Sequence, residues 1–373
     1  IFGSIPYTNF RLSNYNLEPV GNGPYVFDRY VKRKDGFITE YTLKANPNYT
    51  ETEPLIEQFI FKFFEKREDA FYAFNRKEID GLGGLTTEEL NELRIGHAID
   101  SFEMPRYYAL FFNQAVSPAL KRLEVRQALA RAIDKRKLVE RVFGPYASIV
   151  SGPFPPLFFG SSSPPDLGAN FSLEEAEVLL EKAGWKRGPD GIREQRVNRE
   201  TAILKFDLIV PRVGFLMEAA ELIRDGWRQA GAETTLTFMD PREIAGEVVR
   251  IRSYEILLFG NILKQSPDVF SFWHSSERFH PGFNLALYEN KTVDALLESI
   301  RREFNPATLV KLMSDATLAI QGDQPAIFLF SPHYLYAHPK NLGGLAPSSL
   351  KTSADRFQNA RQWFLKTARV FNQ

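Results

Sequence analysis

Apolar and polar positions change period along this chain, and the changes mark out its elements. Within residues 24–44, PYVFDRYVK and FITEYTLK flank Lys34-Asp35-Gly36, which predicts a β-hairpin. QFIFKFF (58–64) alternates near a second strand, and KREDAFYAFNRKE (66–78) has helical composition. A short apolar run from Ile79 to Leu85 precedes Thr86-Thr87-Glu88-Glu89, a capping box that opens a helix ending near Gly96. YYALFFN (107–113) reads as a strand buried on both faces.

Helical spacing then takes over. Val125, Ala128, Leu129, Ala132 and Ile133 fall on one face, and Asp134 can cap a second helix with Leu138, Val139 and Val142 inward, stopped by Gly144-Pro145. SGPFPPLFFGSSSPPDLG (151–168) reads as a surface excursion. Ser172-Leu173-Glu174-Glu175 opens another helix, which ends at Gly184. A strand (204–210), a helix (215–230, stopped by Gly231) and a strand (234–238) make a βαβ unit. A helix (241–253), a strand (254–260), two helices (291–304 and 306–320) and a strand (326–330) continue the α/β pattern.

Composition changes this picture by exclusion. The helix pair at 125–144 carries Arg126, Arg131, Lys135, Arg136, Lys137 and Arg141, which raises nucleic acid as a partner. Lys plus Arg and Asp plus Glu each total 46 in 373 residues, so no whole-protein field attracts a polyanion. Arg126 and Arg131 lie more than a third of a turn apart and form no stripe, so the basic residues read as a solvated face and no nucleic-acid partner is expected. No apolar run of 18 residues or more occurs. With no cysteine, disulfides, Cys-ligated zinc and thiol nucleophiles are excluded. A start at Ile1 rather than Met reads as a fragment whose signal segment lies upstream. The 32 phenylalanines read as core filling.

A search for reaction chemistry finds no specific motif. Histidines stand at 97, 274, 280, 333 and 338 without metal-ligand spacing, and no phosphate loop is present, so neither metal nor cofactor is expected. Gly81, Gly83 and Gly84 do not complete G-x-G-x-x-G, and Gly160-Ser161-Ser162-Ser163 lacks the closing glycine of a nucleophile elbow. The expectation is a binding protein, not an enzyme. SPDVFSFWHSSE (266–277) follows a strand ending at Gly260, and ligands collect at the carboxyl ends of strands in open α/β sheets. Asp268 can bind a cation or amine there, and Trp273 can stack on a ligand; the plainer alternative is an aromatic closing the core.

Seven segments in order carry a family resemblance: GNGPYVF (21–27), LKANPNYT (43–50), KEIDGL (77–82), YYALFFN followed by LEVRQALARAIDKRKLVERVFG (123–144), LEEAEVLLEKAGW (173–185), LYENKTVDALLESI (287–300) and QPAIFLF (324–330). Together they resemble the bacterial extracellular solute-binding proteins of family 5, which serve peptide and nickel ABC importers. That resemblance implies an α/β, type II periplasmic-binding-protein fold with mixed sheets, whose two lobes close on a ligand. It implies that the N-terminal part of lobe one precedes Ile1, that 1–106 is the remainder of lobe one, that 107–327 is lobe two, and that 328–373 returns to lobe one. It also implies a small-molecule or peptide ligand, permease subunits of an importer as partners, a monomer, and a periplasmic or extracellular location with a lipid anchor possible. The expected cleft residues are Leu82, Gly83, Gly84, Leu85, Tyr107, Asn113, Gly260, Asn261, Asp268, Phe270, Trp273 and His274. Asp268 follows Pro267, whereas peptide binders often place an acid before proline to take the terminal amine. The ligand-sensing part of a transcriptional regulator is the alternative.

Overall fold

The computed structural model describes residues 13–94, 96–160, 162–165, 170–197, 200–263, 266–345 and 349–366. The N-terminal stretch 1–10 and residues 166–168 of the Pro/Gly/Ser-rich loop lie outside the described residues. The chain forms two compact units: residues 1–102 with 334–373, and residues 103–333. Sequence reasoning puts the divisions at 106/107 and 327/328.

In unit 1, β1 (Tyr25–Lys32), β2 (Ile38–Ala45) and β3 (Gln58–Lys62) form an antiparallel meander. The Asp35 carboxylate accepts the Phe37 N–H at 3.0 Å and closes the hairpin turn. Next come α1 (Arg67–Asn75), which buries Phe71, Ala73 and Phe74, then β4 (Leu82–Gly83), α2 (Thr87–Asn91) and β5 (His97–Phe102).

Unit 2 opens with β6 (Arg106–Phe112), α3 (Pro118–Lys121), α4 (Leu123–Arg131), α5 (Lys135–Phe143), β7 (Ala147–Ile149) and α6 (Leu173–Lys182). A small sheet of β8 (Lys186–Arg187), β9 (Arg193–Val197) and β10 (Glu200–Ile203) follows. Then come β11 (Lys205–Pro211), α7 (Gly214–Ala230), β12 (Glu233–Met239), α8 (Pro241–Glu243) and β13 (Ile256–Ile262). The unit ends with α9 (Phe270–Trp273), α10 (Lys291–Ile300), α11 (Pro306–Asp323) and β14 (Ala326–Pro332). Its main sheet has the order β12-β11-β13-β6-β14-β7. Strands β11, β12 and β13 pair in parallel and the others antiparallel, so the sheet is mixed. The chain returns to unit 1 as β15 (Tyr334–Pro339), which sits between β4 and β5, and ends with β16 (Leu342–Gly343) and β17 (Phe364–Leu365).

Alternation along β6 supplies both cores of unit 2. Leu110 and Phe112 pack with Phe206, Leu208, Trp227 and Phe330 on one face. Tyr107, Ala109 and Phe111 pack with Leu257, Trp273, Met313 and Phe328 on the other.

Three sequence readings are corrected. The stretch 241–253 is no regular α-helix: α8 runs into a π-helical turn, Ile244–Val249, and Arg252 has φ 57°. The loop after residue 151 is only partly superficial, because Phe154 and Phe159 are buried in the second core. Arg126 is not on a solvated face. It is buried and donates to the carbonyls of Leu120 (2.7 Å), Lys121 (3.1 Å), Asp323 (2.7 Å) and Gln324 (2.9 Å). It thereby satisfies carbonyls at the ends of α3 and α11. Helical periodicity placed Arg126 beside the apolar face, and only tertiary packing makes that edge an interior.

Candidate functional site

In unit 1 the expected segment is Leu82 to Leu85. Leu82 and Leu85 are buried, whereas Gly84 is exposed. Backbone pairing anchors the segment, since Gly83 faces Tyr336 across β4 and β15 and the Gly84 N–H donates to Leu335 O at 2.8 Å. Gly84 has φ 70°, a left-handed conformation that favours glycine. At Gly83 a Cβ would run into the Tyr334 hydroxyl, so glycine is needed for that ring to lie against the loop. Arg67 locks the turn from outside. Its guanidinium grips Glu89 twice, at 2.8 and 2.6 Å, and donates to Gly84 O at 2.8 Å. Glu89 also completes the capping box with Thr86.

In unit 2 the structure joins Tyr107, Asn261 and Trp273. The Tyr107 hydroxyl accepts from Asn261 Nδ2 at 2.8 Å and from Trp273 Nε1 at 2.9 Å. Tyr107 and Trp273 have no exposed surface, so the indole closes the core instead of offering a free stacking face. Burial pushes the Tyr107 phenol well above its ordinary range. Gly260 lies beside them, and a Cβ there would sit 2.7 Å from the Tyr108 ring. Beyond it Ile262 is 72% exposed, an uncovered apolar side chain at the carboxyl end of β13.

Segment 268–277 is organised around Phe270. The ring stacks on His274 with centroids 4.0 Å apart and carries the Arg301 guanidinium at 4.4 Å. Asp268 is already engaged: Oδ1 accepts the Phe270 N–H at 3.0 Å and Oδ2 pairs with Arg301 Nε at 3.0 Å. His274 Nδ1 accepts the Ser276 N–H at 3.1 Å, and its Nε2 lies 3.8 Å from Asp294 and 3.7 Å from Glu298. Asn284, wholly buried, donates to the carbonyls of Trp273, His274 and Tyr288 and pins the segment from behind. Asn113 is not brought to this group. It stands past the far end of β6 from Tyr107, where it donates to Arg252 O at 3.0 Å and accepts from Ala115 N at 3.1 Å. Among the described residues, no three His, Asp or Glu side chains gather as a metal site, and no helix is long and apolar enough to cross a membrane.

Arg67 and Asn284 were missed by sequence reasoning. A lone arginine in a helix and a lone asparagine in a loop carry no local signal, since Glu89 lies 22 residues from Arg67, and Trp273 and His274 lie 11 and 10 residues from Asn284.

Residues 3–279 match the model of the bacterial extracellular solute-binding proteins, family 5. The chain belongs to this family. Among curated relatives, the oligopeptide-binding protein AppA of Bacillus subtilis is 23% identical over 354 residues, covering 92% of this chain and 62% of that protein. The dipeptide-binding protein of Escherichia coli is 21% identical over 317 residues, covering 84% and 56%. The chain thus spans about 60% of the length of such relatives. Among solved structures, the ABC-transporter substrate-binding protein CtaP of Listeria monocytogenes aligns with a TM-score of 0.79 at 19% identity, covering 98% of this chain and 70% of that one. NikZ of Campylobacter jejuni, solved with a nickel–histidine complex, aligns with a TM-score of 0.71 at 23% identity, covering 97% and 72%. The fold of this family 5 chain is therefore the mixed-sheet, type II periplasmic-binding-protein fold. The family is one of extracellular solute binders, and the regulator alternative gains no support from these relatives.

Proposed function

We propose that this protein captures a peptide or a similar small solute for an ABC importer by closing two lobes about a hinge, and passes it unchanged to permease subunits in the membrane. Family membership over residues 3–279 is the observation that carries this reading. Capture needs no covalent chemistry: the solute stabilises the closed state by its differential affinity for it. The protein works as a monomer on the periplasmic or extracellular side, with a lipid anchor as one means of retention.

Backbone at Gly83, Gly84 and Gly260, together with Phe270 and His274, faces the solute in this reading. Leu82, Leu85, Tyr107, Asn261, Asp268 and Trp273 hold those groups in place, and Asn113 steadies the far end of β6. Named relatives bind oligopeptides, dipeptides and a nickel–histidine complex, which makes peptides the first class to try.

Calorimetry on the full-length protein against mixed peptides, oligosaccharides and nickel–histidine tests the proposal. Saturable binding of one class with a dissociation constant in the micromolar range or tighter is expected. Silence from every class, with a cooperatively folded protein, overturns it.

A further inference from the structure

The polypeptide leaves unit 2 at two places, Glu103 and His333. Both exits continue neighbouring strands. β6 and β14 pair antiparallel from Ala326↔Phe111 to Phe330↔Tyr108, with an irregularity between Phe328 and Phe330. Past Tyr108 and Phe330 the ladder between these strands stops, and side chains replace it. Arg106 donates to Pro332 O at 3.0 and 3.2 Å, and Ser331 Oγ donates to Met104 O at 3.3 Å. Beside them lies Ser148, on edge strand β7, opposite Ser331. Its hydroxyl donates to Glu103 Oε1 at 3.1 Å and lies 2.9 Å from His333 Nε2.

One hydroxyl hydrogen cannot serve both neighbours. With that hydrogen on the carboxylate, His333 must donate through Nε2–H to the serine oxygen. The chain of bonds runs from imidazole to hydroxyl to carboxylate and spans both exits. Burial, opposed by the Glu103 charge and aided by that of Arg106, holds His333 below its ordinary range, consistent with a neutral imidazole in this role. β7 is three residues long and pairs with β14 through its backbone, which leaves the Ser148 hydroxyl to these two side chains.

We propose that Ser148 is a positioning residue of the hinge: its hydroxyl couples Glu103 to His333, so that the two exits of unit 2 yield together and not one at a time. Between the two exits themselves the tie is made by side chains and not by a β-ladder. This inference rests on the hinge-closure reading above, but its test does not need a ligand.

The full-length protein is labelled at K34C and F304C, both exposed positions in a chain without cysteine, and the distance distribution between the labels is measured by double electron–electron resonance. S148A is expected to broaden that distribution without solute. Where a solute is known, it should raise the dissociation constant about three- to tenfold, the range commanded by one hydrogen bond. S148T, which keeps the hydroxyl, should restore the wild-type distribution. E103A cuts the same chain of bonds from a half-exposed position and serves if S148A folds poorly. Broadening by S148A or E103A with rescue by S148T supports the proposal. A distribution unchanged by S148A and E103A overturns it, even if melting temperatures fall. If the wild-type protein binds no solute while S148A still broadens the distribution, the transport reading is overturned and the hinge tie stands.

Discussion

Replacing Arg126 tests whether a cation buried without a carboxylate bonded to it stabilises this fold. Its four acceptors are backbone carbonyls at the ends of α3 and α11, and only a small fraction of its surface meets solvent. Burial pulls its pKa down, while an arginine side chain stays protonated in proteins. A hydrogen bond with one charged partner contributes about 1.5–3 kcal/mol, so four give a gross ~6–12 kcal/mol. Desolvating the guanidinium costs several kcal/mol of that. A net loss of about 3–5 kcal/mol is expected for Arg126→Met, which keeps the stem volume but orphans the carbonyls. Arg126→Lys keeps the charge yet replaces a planar fork by a compact ammonium, so about half that loss is expected. Urea unfolding followed by tryptophan fluorescence measures both, with Trp185, Trp227 and Trp273 all in unit 2 as reporters. If both variants unfold within about 1 kcal/mol of wild type, the arginine is not satisfying these helix ends, and the reasoning fails.

Four further outcomes follow from the geometry. Tyr107→Phe removes the common acceptor of Asn261 and Trp273 and should destabilise unit 2 by about 2–5 kcal/mol in the same assay, since each orphaned buried donor costs about 1–3 kcal/mol. Asp268→Asn should leave solute affinity within about threefold of wild type, because Arg301 and the Phe270 N–H already occupy the carboxylate; a complete loss of binding in calorimetry contradicts this. His333 is held below the ordinary histidine value of 6.5, so the unfolded chain protonates there first. Stability from this group is present above pH ~6.5 and declines as pH falls below that; His333→Gln should flatten that decline in urea titrations at pH 5.5 and 7.5. Thr86→Ala breaks the capping box beside Gly84 and should cost about 1 kcal/mol, with faster amide exchange confined to residues 84–91.

Much of the fold was legible because local rules and tertiary packing agree. The hairpin at Lys34–Gly36, the capping boxes at Thr86 and Ser172, and the stop at Gly231 each rest on chemistry complete within a few residues. The βαβ pattern at 204–238 held for the same reason. Long-range partners decided what was missed. Arg126 looked solvated because its acceptors Asp323 and Gln324 are nearly 200 residues away, and the π-helical turn after Glu243 has no distinct composition. In the candidate site the residue types drew attention to Trp273 and Asp268. Sequence could not reveal that the indole N–H is spent on Tyr107 or that the carboxylate is spent on Arg301.

The place of β15 between β4 and β5 has a consequence for biosynthesis. β5 ends at Phe102 and its partner begins at Tyr334, so the edge it presents is finished only after the intervening 103–333 have been made. At about 5–20 residues per second that interval is on the order of ten to fifty seconds. Throughout it a nascent strand with open backbone groups sits on the ribosome's product, next to glycines that cannot shield it. The second unit, continuous in the chain, has time to fold first, so the discontinuous one is completed last and is the natural client for a holding chaperone.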